Sequence, residues 1–183
     1  MKIKIAAAFA VMMVLAGCVS PTGSLPVVPP TDAATVSAST TIQRNVHTGM
    51  TNIEGPVIMP QGTLLGDKYM LRSWVAPNNP AMNDRFQIQA SAYVSEWKFL
   101  EHAYADGKAL DTTVIDRSVI SCRGGCSMTE TIGINLTKAD VEKYAQSGLS
   151  FQVSGKRGNM TMFIPAGYFA GVLQAHERAK TAS

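Results

Sequence analysis

Two cysteines that lie four positions apart, Cys122 and Cys126, are the clearest chemical feature of the sequence. They enclose Arg-Gly-Gly, and the flanking stretches have the composition of β-strands. In an exported protein such a pair is most simply a disulfide that closes a tight loop, which contributes about 2 kcal/mol to stability. A redox-active pair would instead need its first thiolate at a helix N-terminus. A Cu(I) site would add His102 or His176 to the two thiolates. We expect the structural disulfide.

The three histidines, His47, His102 and His176, show no spacing typical of metal ligands. Glu101 and His102 are neighbours in a predicted strand, so their side chains point to opposite faces and form no catalytic pair. The sequence also lacks Gly-x-Ser-x-Gly, His-Glu-x-x-His and a phosphate-binding glycine loop. It therefore predicts no catalytic residue, no metal site and no cofactor. A cell-wall or glycan hydrolase is the enzymatic alternative, and it needs two carboxylates about 5–10 Å apart in a cleft.

Two glycine-containing loops carry basic residues, Arg123 in the first and Lys156 with Arg157 in the second. Together they could contact anionic lipid headgroups or glycan phosphates, although exposed charges of this kind usually serve only to solvate a loop. Without residues 1–17, which hold two of the sixteen basic residues and none of the thirteen acidic ones, the net charge falls from +3 to +1. A nucleic-acid partner, which requires a clustered basic surface, is not expected.

The N-terminus begins with Lys2 and Lys4 and continues with an apolar run over residues 5–16. This run is shorter than the roughly 20 residues that span a bilayer, and its length and flanks are typical of a secretory signal. Residues 15–18, Leu-Ala-Gly-Cys, resemble the lipobox of bacterial lipoproteins at every position. The resemblance implies cleavage before Cys18, a diacylglyceryl thioether on its sulfur and a further acyl chain on the new amino terminus. Two or more acyl chains hold a protein stably in a membrane.

The rest of the chain divides into a tether and one domain. Residues 19–41 contain four prolines, many Ser and Thr and no aromatic residue, a composition that predicts a flexible segment. We therefore predict a signal peptide over residues 1–17, a lipidated cysteine with its tether over 18–41, and a single β-rich domain over 42–183. Val19 occupies the position where enteric-type lipoproteins retained in the inner membrane carry Asp. The resemblance thus implies an outer-membrane anchor, with the domain periplasmic or surface-exposed.

Period-two alternation of apolar residues predicts most of the domain to be β-structure. Residues 86–94 alternate cleanly, as a half-buried strand does, and a change of phase at Trp97 indicates a bulge near Glu96. Asp106-Gly107 is a hairpin signal, and residues 154–159 suit a longer hairpin loop. The sequence predicts about seven mostly antiparallel strands, arranged as a β-sandwich or partial barrel.

Two helices interrupt the predicted strands. Thr137 and Asp140 have the spacing of a capping box, and Gly148 is a suitable C-terminal stop. A second helix is predicted over about 165–179, where apolar residues recur at helical spacing; an edge strand through residues 167–173 is the alternative. Because no cluster of titratable residues emerges, we expect a non-catalytic binding or assembly component of the envelope with a protein partner. An inhibitor of a lytic enzyme and a wall hydrolase are the alternatives.

The lipobox makes a direct prediction. Mass spectrometry of the mature N-terminus should find acyl mass on Cys18, and the protein should fractionate with outer-membrane markers. Cys18→Ser should leave the precursor uncleaved, because the sulfur that receives the lipid is absent. Cys122→Ser is the matched control and should be processed normally. An unmodified N-terminus at another residue would contradict the lipobox interpretation.

Overall fold

The computed structural model describes residues 32–60 and 66–182. Cys18, the lipobox and most of the predicted tether lie outside the described residues. The described chain forms ten strands, three α-helices and a short 3-10 helix at Pro80–Met82. The strands are β1 (Thr41–Arg44), β2 (Thr51–Glu54), β3 (Lys68–Val75), β4 (Arg85–Val94), β5 (Leu100–Ala105), β6 (Lys108–Leu110), β7 (Thr112–Ser121), β8 (Ser127–Thr137), β9 (Leu149–Gly155) and β10 (Gly158–Ile164). The helices are α1 (Ala33–Ser39), α2 (Lys138–Ser147) and α3 (Ala166–Thr181).

The strands build two antiparallel sheets. One has six strands in the order β1-β2-β3-β4-β8-β7, and the other has four in the order β10-β9-β5-β6. Within the described residues neither sheet closes into a barrel, and apolar side chains of both sheets and of the helices share one main core. This confirms the predicted mainly-β antiparallel fold with a short helix and a C-terminal helix. The short strands β1, β2 and β6, which contain too few residues for a clear alternation, raise the strand count above the expected seven.

The phase change after residue 94 marks a crossing between the two sheets. β4 ends at Val94, and the chain enters the four-stranded sheet at Leu100. Phe99, with a φ of 55°, turns the chain in a left-handed conformation just before β5. When a chain passes from one sheet to another, the inward-facing apolar residues change phase in the sequence. A bulge within a single strand produces the same change of phase. The predicted bulge near Glu96 is therefore wrong.

A buried carboxylate holds this crossing in place. Glu130 lies on the core face of β8 and is 1% exposed. Its carboxylate accepts hydrogen bonds from three successive backbone N–H groups, those of Lys98, Phe99 (3.1 Å) and Leu100 (2.7 Å). Arg117 of β7 adds an ion pair, with 3.4 Å between Nε and Oε2. The buried charge is thus compensated by several donors, which a buried carboxylate requires.

The two predicted helices are confirmed. Thr137 and Asp140 form the capping box at the start of α2, and Gly148 ends that helix. The C-terminal segment is the helix α3, so the alternative of an edge strand is wrong. Tyr168, which is fully buried on α3, donates its hydroxyl hydrogen to the carbonyl oxygen of Pro56 at 2.7 Å. No helix in the described part of the chain has both the length and the apolar character needed to span a membrane.

The helix α1 corrects the predicted start of the domain. It begins after Asp32, whose carboxylate accepts from the backbone N–H of Thr35, and its Val36 is fully buried. Val36 packs on Gly171 of α3 so closely that a Cβ at residue 171 would lie 2.5 Å from the Val36 Cβ. Residues 33–41, expected to belong to the tether, are therefore folded, and the domain begins before Ile42.

The Glu130 contacts predict a large effect of a small substitution. We expect Glu130→Gln to lower the free energy of unfolding by about 3 kcal/mol, because an amide nitrogen would face backbone donors and Arg117 would lose its buried partner. Urea unfolding measures this. Glu142→Gln, which changes a side chain that is 53% exposed, should cost less than about 0.5 kcal/mol. Equal effects of the two substitutions would contradict the role assigned to Glu130.

Candidate functional site

The cysteine pair occupies the turn between β7 and β8. Cys122 and Cys126 are joined by a disulfide, as predicted. Gly124 and Gly125 both have positive φ angles, 77° and 138°, a conformation that glycine adopts without strain. The bond leaves neither sulfur as a thiolate, so in this structure the pair provides no ligand for Cu(I).

The two basic loops are both exposed, but the structure gives them different surroundings. Arg123 lies inside the disulfide loop, whereas Lys156 and Arg157 form the turn between β9 and β10. The Arg157 guanidinium stacks on Phe99, 5.6 Å from the ring centre, and its backbone N–H donates to Lys98 O at 3.0 Å. Among the described residues no hydrogen bond, ion pair or ring contact joins Arg123 to the other loop. A shared anion-binding surface stays a prediction.

A row of polar side chains crosses the outer face of the six-stranded sheet. Arg72 of β3, Gln87 of β4 and Asn135 of β8 stand side by side in register. Arg72 Nη2 donates to Gln87 Oε1 (2.6 Å), Gln87 Nε2 donates to Asn135 Oδ1 (2.7 Å), and Asn135 Nδ2 donates to Asp111 Oδ2 (2.9 Å). We call Arg72, Gln87, Asn135 and Asp111 the polar row. Each member fixes the orientation of the next, so the row is ordered before any ligand arrives.

Gly133 of β8 makes room for the polar row. A Cβ at this position would lie 2.7 Å from the amide carbon and nitrogen of Gln87. Only a residue without a side chain lets the Gln87 amide lie flat across the sheet toward Asn135. The glycine in this strand therefore serves packing, since its φ lies outside the left-handed region.

A cleft of about 590 Å³ opens over one end of the polar row. Its walls include most of the row and the indole of Trp74, and the Arg72 guanidinium carbon lies 5.0 Å from the Trp74 ring centre. An aromatic face beside fixed amide donors and acceptors suits a ligand with both apolar C–H and polar O–H groups. The lining residues that matter for this chemistry are Trp74, Gln87, Asp111, Asn135, Asp84 and Asp140.

A second polar cluster lies beside this cleft, where α3 meets the larger sheet. His176 is fully buried, with Nδ1 2.9 Å from Ser73 Oγ and its ring 4.7 Å from that of Phe86. Its Nε2 lies 3.7 Å from Asp84 Oδ1, too far for a hydrogen bond. Burial lowers the pKa of His176, which keeps the imidazole neutral at pH 7. The hydrogen bond from Lys180 lowers the pKa of Asp84.

Ser73, His176 and Asp84 do not form a hydrolytic triad. Ser73 is fully buried, so no substrate carbonyl can reach its hydroxyl, and a nucleophile requires that access. The carboxylates that line the cleft are also engaged with the protein. Asp84 accepts from Lys180 (2.9 Å), Asp111 accepts from Asn135 (2.9 Å), and Asp140 caps α2. A general acid for glycoside cleavage needs a raised pKa, whereas that of Asp84 is lowered. Asp84 therefore does not fit the role of that general acid.

The comparisons with known proteins find no family model that matches this chain and no curated protein similar to it. The fold and the site define a β-rich domain with a polar cleft.

Sequence reasoning did not identify the residues of the cleft. Gln87 occupied the polar phase of a correctly predicted strand, but its neighbours Arg72 and Asn135 come from strands 15 and 48 positions away. Asp84 lies outside the strands and helices predicted above, and His176 is considered there only as a possible Cu(I) ligand beside the cysteine pair. The sequence signal for this face is an aromatic residue together with amide side chains at outward-facing positions of adjacent strands.

The buried His176 predicts a dependence of stability on pH. Because its pKa in the folded protein lies below the value of about 6.5 expected in the unfolded chain, the unfolded chain binds more protons between those two values. The stabilisation is therefore complete above about pH 7 and is lost as the pH falls through the folded-state pKa. Urea unfolding between pH 7.5 and 4.5 in EDTA measures it. His176→Gln should flatten the slope, and His102→Gln, a change at an exposed histidine, should preserve it.

Proposed function

We propose that this chain is a lipid-anchored, non-catalytic binding component of the bacterial outer membrane, and that the cleft beside Trp74 holds its ligand. The lipobox resemblance of residues 15–18 and the residue Val19 support the location. The observation that carries the binding role is the polar row, a set of hydrogen-bonding side chains already ordered beside an aromatic ring. Pockets that bind small molecules typically combine an apolar wall with a few fixed polar groups.

The chemistry of the cleft favours an uncharged, hydroxyl-rich ligand, and in the envelope this is a cell-wall glycan. Sugar C–H groups pack on an indole face, and sugar hydroxyls pair with amides that both donate and accept. The charge of Arg72 is balanced by Glu54, its cross-strand neighbour in β2. Among the described residues that line the cleft, Arg85 is the only basic one, against the carboxylates of Asp84, Asp111 and Asp140, so an anionic ligand gains no advantage there.

Intrinsic fluorescence can test this proposal, because the chain has only two tryptophans. In a Trp97→Phe variant Trp74 is the single reporter. Adding soluble cell-wall glycan fragments to the lipidated protein in detergent should shift its emission saturably, as the indole leaves water. Trp74→Ala, which removes the ring and keeps Trp97, should show no shift and should bind sacculi at least about fivefold more weakly, since a ring contact is worth about 1 kcal/mol or more.

A second pair of variants distinguishes the loss of a contact with the polar row from a nonspecific effect of changing the protein surface. Asn135→Ala removes a member of the row and should weaken glycan binding, whereas Thr161→Ala, on the exposed face of β10, should not. Circular dichroism confirms that each variant is folded. Unchanged emission from Trp74 at saturating glycan, or equal binding by the Asn135 and Thr161 variants, would contradict the proposed site.

A protein partner is the second candidate, favoured by the hairpin of β7 and β8. Val119 and Ile120, next to the disulfide loop, are 56% and 53% exposed, so the tip of this hairpin presents apolar side chains to solvent. Such a tip could insert into a partner, including a lytic enzyme that the protein inhibits. Photo-crosslinks from position 120 in intact cells, with wild-type behaviour of the cleft variants, would favour this function over glycan binding.

A further inference from the structure

We propose that Asp84, His176 and Glu177 form a binding site for a divalent transition-metal ion, with Zn²⁺ the best match. Their three ligand atoms all lie within 4.8 Å of one another. Neither the sequence pattern nor the proposed glycan cleft requires such a site, and the site would exist whether or not the cleft binds a glycan. One imidazole nitrogen with two carboxylate oxygens is a ligand set that zinc accepts.

The unpartnered nitrogen of His176 is the observation that points to a cation. Nδ1 pairs with Ser73 Oγ, while Nε2 is fully buried and has no hydrogen-bond partner among the described residues. When Nδ1 carries the proton, the Nε2 lone pair faces the Asp84 carboxylate, and two acceptors face each other without a donor between them. A metal ion between the two atoms removes that repulsion. Ser73 then fixes the ring, as outer partners of ligating histidines do.

The distances suit one shared ion after small movements. Two ligands that each lie about 2.0–2.1 Å from a tetrahedral zinc ion are roughly 3.4 Å apart. His176 Nε2 and Asp84 Oδ1 are separated by 3.7 Å. Glu177 follows His176 directly on α3, and its Oε1 is buried at the same place. Three protein ligands leave the fourth coordination position of zinc for a water molecule or for an oxygen atom of a molecule bound in the cleft. The site lies next to the cleft, because Asp84 also lines the cleft wall.

Two lysines compete with the ion for these carboxylates. Lys180 Nζ lies 2.9 Å from Asp84 Oδ1, and Lys138 Nζ lies 2.7 Å from Glu177 Oε1. The two ammonium groups cancel the two carboxylate charges, so metal binding must displace them. Both lysine side chains are about one-third exposed, 37% and 32%, and can turn into solvent. Removing either lysine should therefore strengthen metal binding, which a purely structural ion-pair network does not predict.

The test uses the full-length lipidated protein in detergent, without a histidine tag. Competition with a fluorescent chelator measures Zn²⁺ affinity, and the visible spectrum of added Co²⁺ reports a nitrogen- and oxygen-ligated site. We expect Lys180→Met to bind Zn²⁺ at least about tenfold more tightly than the wild type, because it removes a positive charge about 3 Å from a ligand. His176→Gln and Asp84→Asn should abolish both signals, while His102→Gln should leave them unchanged.

The outcomes separate the proposal from its alternatives. Circular dichroism of Asp84→Asn, a change at a half-buried surface residue, shows whether the fold survives even where His176→Gln disturbs it. Zn²⁺ affinity that is unaffected by Asp84→Asn in a folded protein would overturn the site. Equal loss of affinity in the His102 variant, or no gain in the Lys180 variant, would also overturn it. Failure of the glycan experiments would not overturn the metal site, since those experiments do not measure metal binding.

Discussion

The carboxylate of Glu130 is the interaction on which the two-sheet architecture depends. Between Val94 and Leu100 the chain belongs to neither sheet, so its backbone N–H groups need partners other than a neighbouring strand. Glu130 of β8, the strand beside the edge strand β7, supplies them to three successive residues, and Arg117 balances its charge. A side chain of one sheet thereby takes the place of a strand at the entrance to the other. Without it, the crossing would leave the buried backbone N–H group of Leu100 and the partly buried ones of Lys98 and Phe99 without these partners.

This fixed crossing also determines which face of the larger sheet stays open. The four-stranded sheet and α3 cover its inner face, where β3 and β8 contribute their apolar phases. The opposite phase of the same strands carries the polar row, and the row exists because the register of β3, β4 and β8 sets Arg72, Gln87 and Asn135 side by side. A slip of one residue in β4 would exchange its apolar and polar faces. The register of β3, β4 and β8 therefore determines both the core and the cleft.

The sequence predicts those elements that a local periodicity of apolar residues or a local capping motif defines. The strand at residues 86–94, the capping box at Thr137 and the C-terminal helix all emerged with nearly correct bounds. The helix α1 did not, because seven residues rich in Ala and Ser carry little apolar periodicity, and it forms by packing Val36 on Gly171. In the sequence Glu130 interrupts the apolar alternation of residues 128–136, but its partners come from a crossing that no local pattern predicts. The cleft depends on register between distant strands, which lies beyond single-sequence reasoning.

The helix α3 links the N-terminal helix α1 to the cleft. The helix α1 follows directly on the N-terminal segment that would carry the lipid, and it packs on α3, with Arg178 donating to Ser37 O at 3.0 Å. Two residues earlier, His176 of α3 faces Asp84, a non-glycine residue held at a φ of 64° so that its carboxylate meets the helix. Asp84 in turn forms part of the cleft wall. A positive φ is uncommon for residues other than glycine, although Asp adopts it more readily than most, and the ion pair of Asp84 with Lys180 requires α3 to be docked. The shape of the cleft thus depends on the same helix that holds α1 against the domain.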